Sequence, residues 1–347
     1  MLRITMFSTA DKIKGQGVGS AYGELLSLLD NYFPNEFSIK TNDYSPSDIS
    51  HYHTINLLFF FSTFFKKSRG VKVGYVHFLP ETLKGSIRLF SPFQKIFNRY
   101  VVQFYRRMDQ LIVVNPSFIE KLTDLGCDKD RITYIPNVVS EDLFFEKKDI
   151  SKAELKQQLG FEKSSFTVLG VGQVQERKGI DDFVRLAEKN PTIQFVWVGG
   201  FSFGKLTDGY EKYKNLMTNG PKNLTFTDII PRSQLVNYYN MADLFLLPSY
   251  SELFPMSILE AFNCATPVLL RDLDLYEAVI DGYFLKGKDL EDMDAVIKTA
   301  SQTPALLQDY KEKSRQAASV YSEDAVSKLW YRYYSNLVTI EKRQTQV

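Results

Sequence analysis

Two glutamates eight positions apart, Glu252 and Glu260, lie in the stretch Ser251-Glu252-Leu253-Phe254-Pro255-Met256-Ser257-Ile258-Leu259-Glu260. The run before it, Ala242-Asp243-Leu244-Phe245-Leu246-Leu247-Pro248-Ser249, reads as a short buried strand. Pro255 suits the first position of a helix, where a missing N–H costs nothing. Glu252 then falls in a loop at the C-terminal end of a strand, and Glu260 about a turn and a half inside the helix. The start of such a helix offers unpaired N–H groups and the positive end of its dipole, which suits a phosphate. A carboxylate on each side grips hydroxyl pairs, each charge-assisted hydrogen bond contributing roughly 1.5–3 kcal/mol. An anion holder flanked by diol holders describes a nucleotide-sugar site.

Glu-x7-Glu within E-x-F-P-x-x-x-L-E-A resembles the signature of the retaining GT-B glycosyltransferases. The resemblance implies that Glu252 reaches the donor sugar and that Glu260 holds the nucleotide ribose. Phe254, Pro255, Met256 and Ser257 are then expected along the donor. The stretch Gly170-Val171-Gly172-Gln173-Val174-Gln175-Glu176-Arg177-Lys178-Gly179 is similar to the family's donor-phosphate segment. The family pattern has Arg after the glycine and Lys before the later glycine. Lys178 keeps the second position, whereas Gln173 replaces the first and removes a permanent charge from the expected diphosphate clamp. Arg177 is the candidate to compensate, the alternative being a solvated surface charge.

Gly15-Gln16-Gly17-Val18-Gly19 follows a first strand and precedes a helix. Glycines let a backbone approach a phosphate closely, although this run lacks the spacing and ribose-binding acid of a dinucleotide fingerprint. The resemblance implies a loop facing the donor diphosphate and the acceptor, with Gly17 and Gly19 in contact. His77 ends the apolar strand Val73-Gly74-Tyr75-Val76, at the edge where α/β proteins bind ligands. It matches the family's first-domain histidine, which contacts the transferred sugar; a histidine satisfied in the core is the alternative. His51 and His53 share a strand face, and two imidazoles without a third ligand make a poor metal site, so a structural role is expected. Asp272-Leu273-Asp274 superficially resembles the metal motif of other glycosyltransferases, but its position after an apolar strand argues for a helix start or a loop role. No metal and no cofactor are expected. Glu277 matches an acidic residue of the family, with its role left open.

The elements that must position these groups alternate between short apolar runs and amphipathic stretches, as in α/β folds with parallel sheets. Strands are predicted at residues 3–7, 49–53, 71–77 and 110–114, and again at 167–172, 194–199, 224–226, 244–248 and 268–270. A helix from near Gly19 runs through Tyr22, Leu25, Leu26 and Leu29. Residues 132–139 resemble the family's strand into an interdomain hinge. The expected architecture is GT-B: two Rossmann-like domains whose parallel sheets face across a cleft. Residues 1–145 would face acceptor and membrane, and residues 146–321 would hold the nucleotide sugar. A C-terminal helix at about 322–347 would return to the first domain.

The 347 residues suffice for two domains, and 44% hydrophobic with 24% charged residues is a globular profile. Cys127 and Cys264 lie too far apart to indicate a disulfide framework or zinc knuckle. The first residues read as a strand and lack the apolar core of a signal peptide. The longest apolar run, residues 57–65, is about half of what a membrane span needs. A cytoplasmic protein is expected.

The net charge of +1 conceals an asymmetry. Residues 66–107 carry ten basic side chains and one acidic, Glu81, leaving about −8 for the rest. Such polarity points to an anionic surface as partner. Ser91-Pro92 opens a helix on which Lys95, Arg99 and Arg106 share one face, with Phe93, Phe97, Tyr100 and Phe104 opposite. With Arg107 these are the predicted membrane-docking residues, each basic group near an anionic bilayer contributing about 1 kcal/mol. The alternative is an aromatic core face beneath a solvated basic one. No nucleic-acid motif accompanies the patch.

The expected reaction is transfer of a hexose, galactose or glucose, from a UDP-sugar with retention, His77, Glu252 and Lys178 forming the catalytic set. Tyr75-Val76-His77-Phe78-Leu79-Pro80-Glu81 and Leu270-Arg271-Asp272-Leu273-Asp274-Leu275-Tyr276-Glu277 resemble Gram-positive glycolipid synthases that extend monoglucosyl-diacylglycerol. That implies a glycolipid acceptor, a role in glycolipid or lipoteichoic-acid anchor synthesis, and peripheral attachment to the inner face of the cell membrane. Alternatives are a capsule or wall-polysaccharide glycosyltransferase, or a non-catalytic sugar-binding module.

Overall fold

Runs such as Leu244-Phe245-Leu246-Leu247 are apolar on both faces, which suits only a strand covered on both sides of a parallel sheet. The computed structural model describes residues 1–10, 17–79, 91–202 and 204–344, and it contains two such sheets. The first consists of β1 (Leu2–Phe7), β2 (Phe37–Thr41), β3 (Ile49–Tyr52), β4 (Val71–Val76), β5 (Gln110–Val113) and β6 (Ile132–Tyr134). Their order is β2-β1-β3-β4-β5-β6, every pair parallel. The second consists of β7 (Thr167–Val171), β8 (Gln194–Val198), β9 (Leu224–Phe226), β10 (Leu244–Leu247), β11 (Val268–Arg271) and β12 (Leu285–Gly287). It runs β12-β11-β10-β7-β8-β9, again parallel throughout.

The first sheet is accompanied by α1 (Gly17–Tyr32), α2 (Leu57–Ser62), α3 (Lys66–Arg69), α4 (Ser91–Arg106) and α5 (Ser117–Asp124). The second is accompanied by α6 (Lys152–Gln158), α7 (Ile180–Lys189), α8 (Tyr210–Asn219), α9 (Arg232–Met241), α10 (Met256–Asn263), α11 (Asp274–Ile280), α12 (Leu290–Gln302) and α13 (Pro304–Val320). The last helix, α14 (Glu323–Gln344), returns to the first sheet. Buried Trp330 and Tyr334 anchor it: the Tyr334 ring meets Phe37 edge-on at 5.6 Å, and its hydroxyl lies 2.8 Å from His51 Nδ1.

Strand order reverses between β1 and β3 in the first sheet and between β7 and β10 in the second. Such switch points leave crevices at the carboxyl ends of the strands, where α/β proteins bind ligands. The segments after β7 and β10 are the ones carrying Lys178 and Glu252.

The structure departs from the sequence reading in three places. β2 and β12 are additional strands; both lie at sheet edges, and β2 is mostly half-exposed to exposed, so neither presents a continuous apolar run. α1 starts at Gly17 and α10 at Met256, leaving Pro255 extended at the N-cap with ψ 139°. The basic segment is less exposed than its net charge implies. Arg69 and Lys72 are buried, Lys72 against Asp109 at 2.7 Å and Arg69 against backbone carbonyls of residues 43–45. Arg107 is half-buried: its guanidinium stacks 3.6 Å from the Phe64 ring centroid and Nε donates to Thr63 at 2.8 Å. Lys95, Arg99 and Arg106 are exposed; Glu81, Lys84 and Arg88 lie outside the described residues.

Candidate active site

After β7 the chain turns through Gly172 and Gln173 into a 3₁₀ turn, Glu176–Lys178, that ends at Gly179. Gly179 has φ +73°, and a Cβ there would stand 2.3 Å from the Pro248 carbonyl oxygen. Only glycine permits this approach, which seats the turn against the loop after β10. The Tyr250 N–H donates to the Arg177 carbonyl at 2.9 Å and joins the two loops. The result is an ion pair between Lys178 Nζ and Glu252 Oε1 at 2.5 Å. Arg177 adds a hydrogen bond to the Ser251 carbonyl at 2.7 Å and lies 3.5 Å from Glu252 Oε2. Glu252 is buried. Burial opposes its charge, but the Lys178 and Arg177 cations outweigh that and hold the carboxyl below its ordinary range. Burial likewise pulls the Lys178 ammonium down, with Glu252 working against it.

Where the family pattern has arginine, Gln173 accepts a hydrogen bond from buried Gln175 at 2.7 Å, so a braced amide stands in place of a charge. Arg177, one turn on, brings its guanidinium to the same loop as Glu252. Gln175 carried no signal in the sequence.

The first turn of α10 is buried, with Met256 and Ser257 at its start. Phe254 is buried too, its ring 5.3 Å from Tyr321. It braces the loop that carries Glu252. Glu260 is engaged at both oxygens, accepting from Arg232 at 2.9 Å and from the Tyr239 hydroxyl at 2.8 Å. Arg232 also pairs with Glu24 of α1 at 2.5 Å, and Glu24 accepts the Ser140 N–H at 3.0 Å. A chain of charges, Glu24–Arg232–Glu260, thus joins a helix of the first sheet to the expected ribose-binding carboxylate.

Two asparagines after strands of the first sheet clamp the same loop. Asn115 donates to the carbonyls of Leu253 at 3.2 Å and Leu275 at 2.7 Å, and Asn137 donates to Phe254 at 2.8 Å. The Glu252 loop is therefore fixed from both sheets. Asn115, Asn137, Arg232 and Glu24 were not singled out in the sequence, because isolated polar residues have no spacing to betray them.

His77 lies one residue past β4, beside the other two histidines of the chain. Its Nε2 is 3.4 Å from His53 Nδ1, and the His53 ring packs tilted against His51 with centroids 4.2 Å apart. Tyr75 and Trp330 border this cluster. Burial lowers all three histidine pKa values, that of His53 to about 3, so the cluster is neutral at pH 7. Unfolded histidines titrate near 6.5 and bind protons the native cluster refuses, so stability is full above that pH and falls as pH drops. Going from pH 7.5 to 5.5 is expected to cost about 1.4 kcal/mol per histidine. Urea unfolding at the two pH values checks this, and His53→Asn should reduce the loss by about a third.

Gly17 opens α1 and is exposed, with open space where a Cβ would stand; Gly19 is in the same turn, and Gly15 and Gln16 lie outside the described residues. Asp274 is the first residue of α11, in keeping with a helix start. Glu277 points to solvent and pairs with Lys286 at 3.1 Å.

The model of the family described as "Glycosyl transferases group 1" matches residues 151–317, and that of "Glycosyltransferase Family 4" matches residues 21–143. The chain is 45% identical over 342 residues to alpha-galactosylglucosyldiacylglycerol synthase of Streptococcus pneumoniae, covering 99% of this chain and 91% of that protein. It is 28% identical over 191 residues to processive diacylglycerol alpha-glucosyltransferase of Acholeplasma laidlawii, covering 54% and 55% of the two. Sucrose-phosphate synthase of Thermosynechococcus elongatus has the same fold at TM-score 0.80 and 16% identity, covering 98% of this chain and 100% of that one. Anabaena HepE in complex with UDP-glucose superposes at TM-score 0.75 and 14% identity, covering 97% and 100%. With paired parallel sheets, a Glu252–Lys178 pair at their cleft and a relative alike from end to end, the chain belongs to the group 1 glycosyltransferases of GT-B fold and is a hexosyltransferase.

Proposed function

We propose that this enzyme moves a hexose from a UDP-hexose, galactose in the first instance, to monoglucosyl-diacylglycerol with retention at the anomeric carbon. The observation that carries the reading is the end-to-end 45% identity to a protein named for a galactosylglucosyl-diacylglycerol product. The donor diphosphate would take over Lys178, assisted by Arg177 and the start of α10, and the released Glu252 would hold sugar hydroxyls. The C1–O bond to the phosphate breaks as the acceptor oxygen bonds C1 on the same face, and the acceptor proton passes to the leaving phosphate. Positive charge fixed at the diphosphate stabilises that departure without reorganisation. No metal is needed on this reading, because Lys178 and the helix N-terminus supply the charge. His77 would meet the transferred sugar from the opposite wall.

Lys95, Arg99 and Arg106 would hold the protein on an anionic inner membrane face. Among the described residues no helix is long and apolar enough to cross a membrane, so attachment would be peripheral. The test is a donor-by-acceptor matrix: UDP-galactose and UDP-glucose against diacylglycerol and monoglucosyl-diacylglycerol in mixed micelles, with and without EDTA. Galactosyl transfer to the monoglucosyl lipid, unchanged by EDTA, is expected. Transfer only to a polyprenyl-linked or soluble saccharide would overturn the acceptor assignment.

A further inference from the structure

Five large apolar side chains from one short segment stand in solvent: Leu57 (63% exposed), Leu58 (73%), Phe61 (59%), Phe64 (55%) and Phe65 (67%). The first three are on α2, where at about 100° per residue they fall within an arc of roughly 100°, and Phe64 and Phe65 extend the stripe in the turn that follows, their N–H groups donating to the carbonyls of Phe61 and Ser62. The other side of the same segment is buried, through Phe59, Ser62 and Thr63. Phe60 packs on Tyr100 and Phe104 of α4, and Arg107 lies over Phe64. The stripe is therefore held rigidly outward. Ile96 of α4 (66% exposed) extends the apolar surface, and exposed Lys66, Lys67, Lys95 and Arg99 border it.

We propose that residues 57–65 form a bilayer-insertion ridge whose occupant is an anionic lipid surface; this rests on, and deepens, the glycolipid-acceptor reading. Leucine and phenylalanine on one face with lysine and arginine beside them is the composition of an interfacial anchor, apolar groups entering the acyl boundary while cations meet headgroups. The charge frame selects lipid over a second copy of the chain, since self-association through this face would bring Lys66, Lys67, Lys95 and Arg99 against their own equivalents. The ridge is also placed to serve the cleft. α2 begins five residues after β3 ends at Tyr52, and the N-terminal half of α4 comes after β4, which ends next to His77. The start of α2 and the N-terminal half of α4 thus sit at the carboxyl edge of the sheet, and the ridge runs from there along α4 to Arg107. Seating the ridge in a bilayer turns the first-sheet wall of the cleft toward the headgroups, where the acceptor sugar resides.

The experiment uses the full chain and vesicles of phosphatidylcholine with or without phosphatidylglycerol. The wild type should sediment with anionic vesicles, and Phe61→Trp emission should shift to the blue on binding. Leu58→Ser/Phe61→Ser/Phe65→Ser should weaken partitioning on the order of 100-fold, from the apolar area withheld. Lys66→Ser/Lys67→Ser should reduce the preference for anionic vesicles. Both variants should retain transfer to a short-chain monoglucosyl lipid dissolved below its micelle concentration. Circular dichroism matching the wild type shows that these solvent-facing changes leave the fold intact. Partitioning unchanged in the serine triple, or a concentration-dependent dimer abolished by it without any vesicle binding, overturns the ridge. Vesicle binding as expected, with no transfer to any lipid acceptor, leaves the ridge standing and overturns the glycolipid reading instead.

Discussion

Lys178→Met is expected to lower kcat/KM for the donor by about 10²–10³-fold, the usual effect of removing one preorganised group from a site where charge develops. Lys178 is fixed before any donor arrives: Gly179 seats its turn against Pro248, and Glu252 holds the ammonium at 2.5 Å. Methionine keeps the stem and removes the charge. Glu252, buried in the same place, would then face only Arg177, and with its main counter-charge gone its pKa should rise toward the value burial favours. The acid limb of the pH–rate profile should therefore move to higher pH. Lys178→Arg should restore the pH profile but only part of the rate, because a planar fork cannot sit where a compact ammonium does. Steady-state kinetics from pH 5 to 9 give all three outcomes. A Lys178→Met enzyme within threefold of wild type would remove Lys178 from the catalytic set.

The second large effect concerns stability and donor affinity together. Arg232→Met leaves Glu24 and Glu260 buried and facing each other without the cation that separates them. Breaking a buried pair costs about 3–5 kcal/mol, and since the Arg232 side chain keeps 29% exposure the lower end, about 3 kcal/mol, is expected. Glu24→Gln alone should cost about 1 kcal/mol, that of a charged hydrogen bond weakened to a neutral one. Combining the two should cost less than their sum by at least roughly 1 kcal/mol, because the second change neutralises one of the orphaned carboxylates. Urea unfolding of the four proteins closes this cycle, and strict additivity would show that Glu24 and Arg232 act separately. The donor KM should rise in Arg232→Met as well, since Glu260 would lose the partner that orients it.

Much of this was legible in the primary structure for a physical reason. Covered parallel strands must be apolar on both faces, so β7, β8, β10 and β11 announce themselves as short runs rich in Val, Leu and Phe. The Glu-x7-Glu spacing is equally local, because strand, loop and helix that carry it are contiguous. The edge strands β2 and β12 were silent, β2 because most of it meets water and β12 because it is only three residues with Lys286 at its centre. The basic segment misled in part: charge is countable in a sequence, but burial is not. Arg69 and Lys72 turned out to be internal, and Arg107 a clasp for Phe64. The ridge at residues 57–65 read only as an apolar run too short to cross a membrane. Its meaning depends on which of its faces is covered, and α4 decides that.

What the sequence determined by itself is most of the order of elements and the place of Lys178 and Glu252 beside strand ends, since both follow from residue types within a few positions of a strand. Only the tertiary structure decided how those groups are held. Asn115 and Asn137 reach the Glu252 loop across separations of more than a hundred residues, and so do Glu24 to Arg232 and Tyr334 to His51. Such contacts have no period and no fixed spacing, and they arise from the packing of one sheet's loops against the other's.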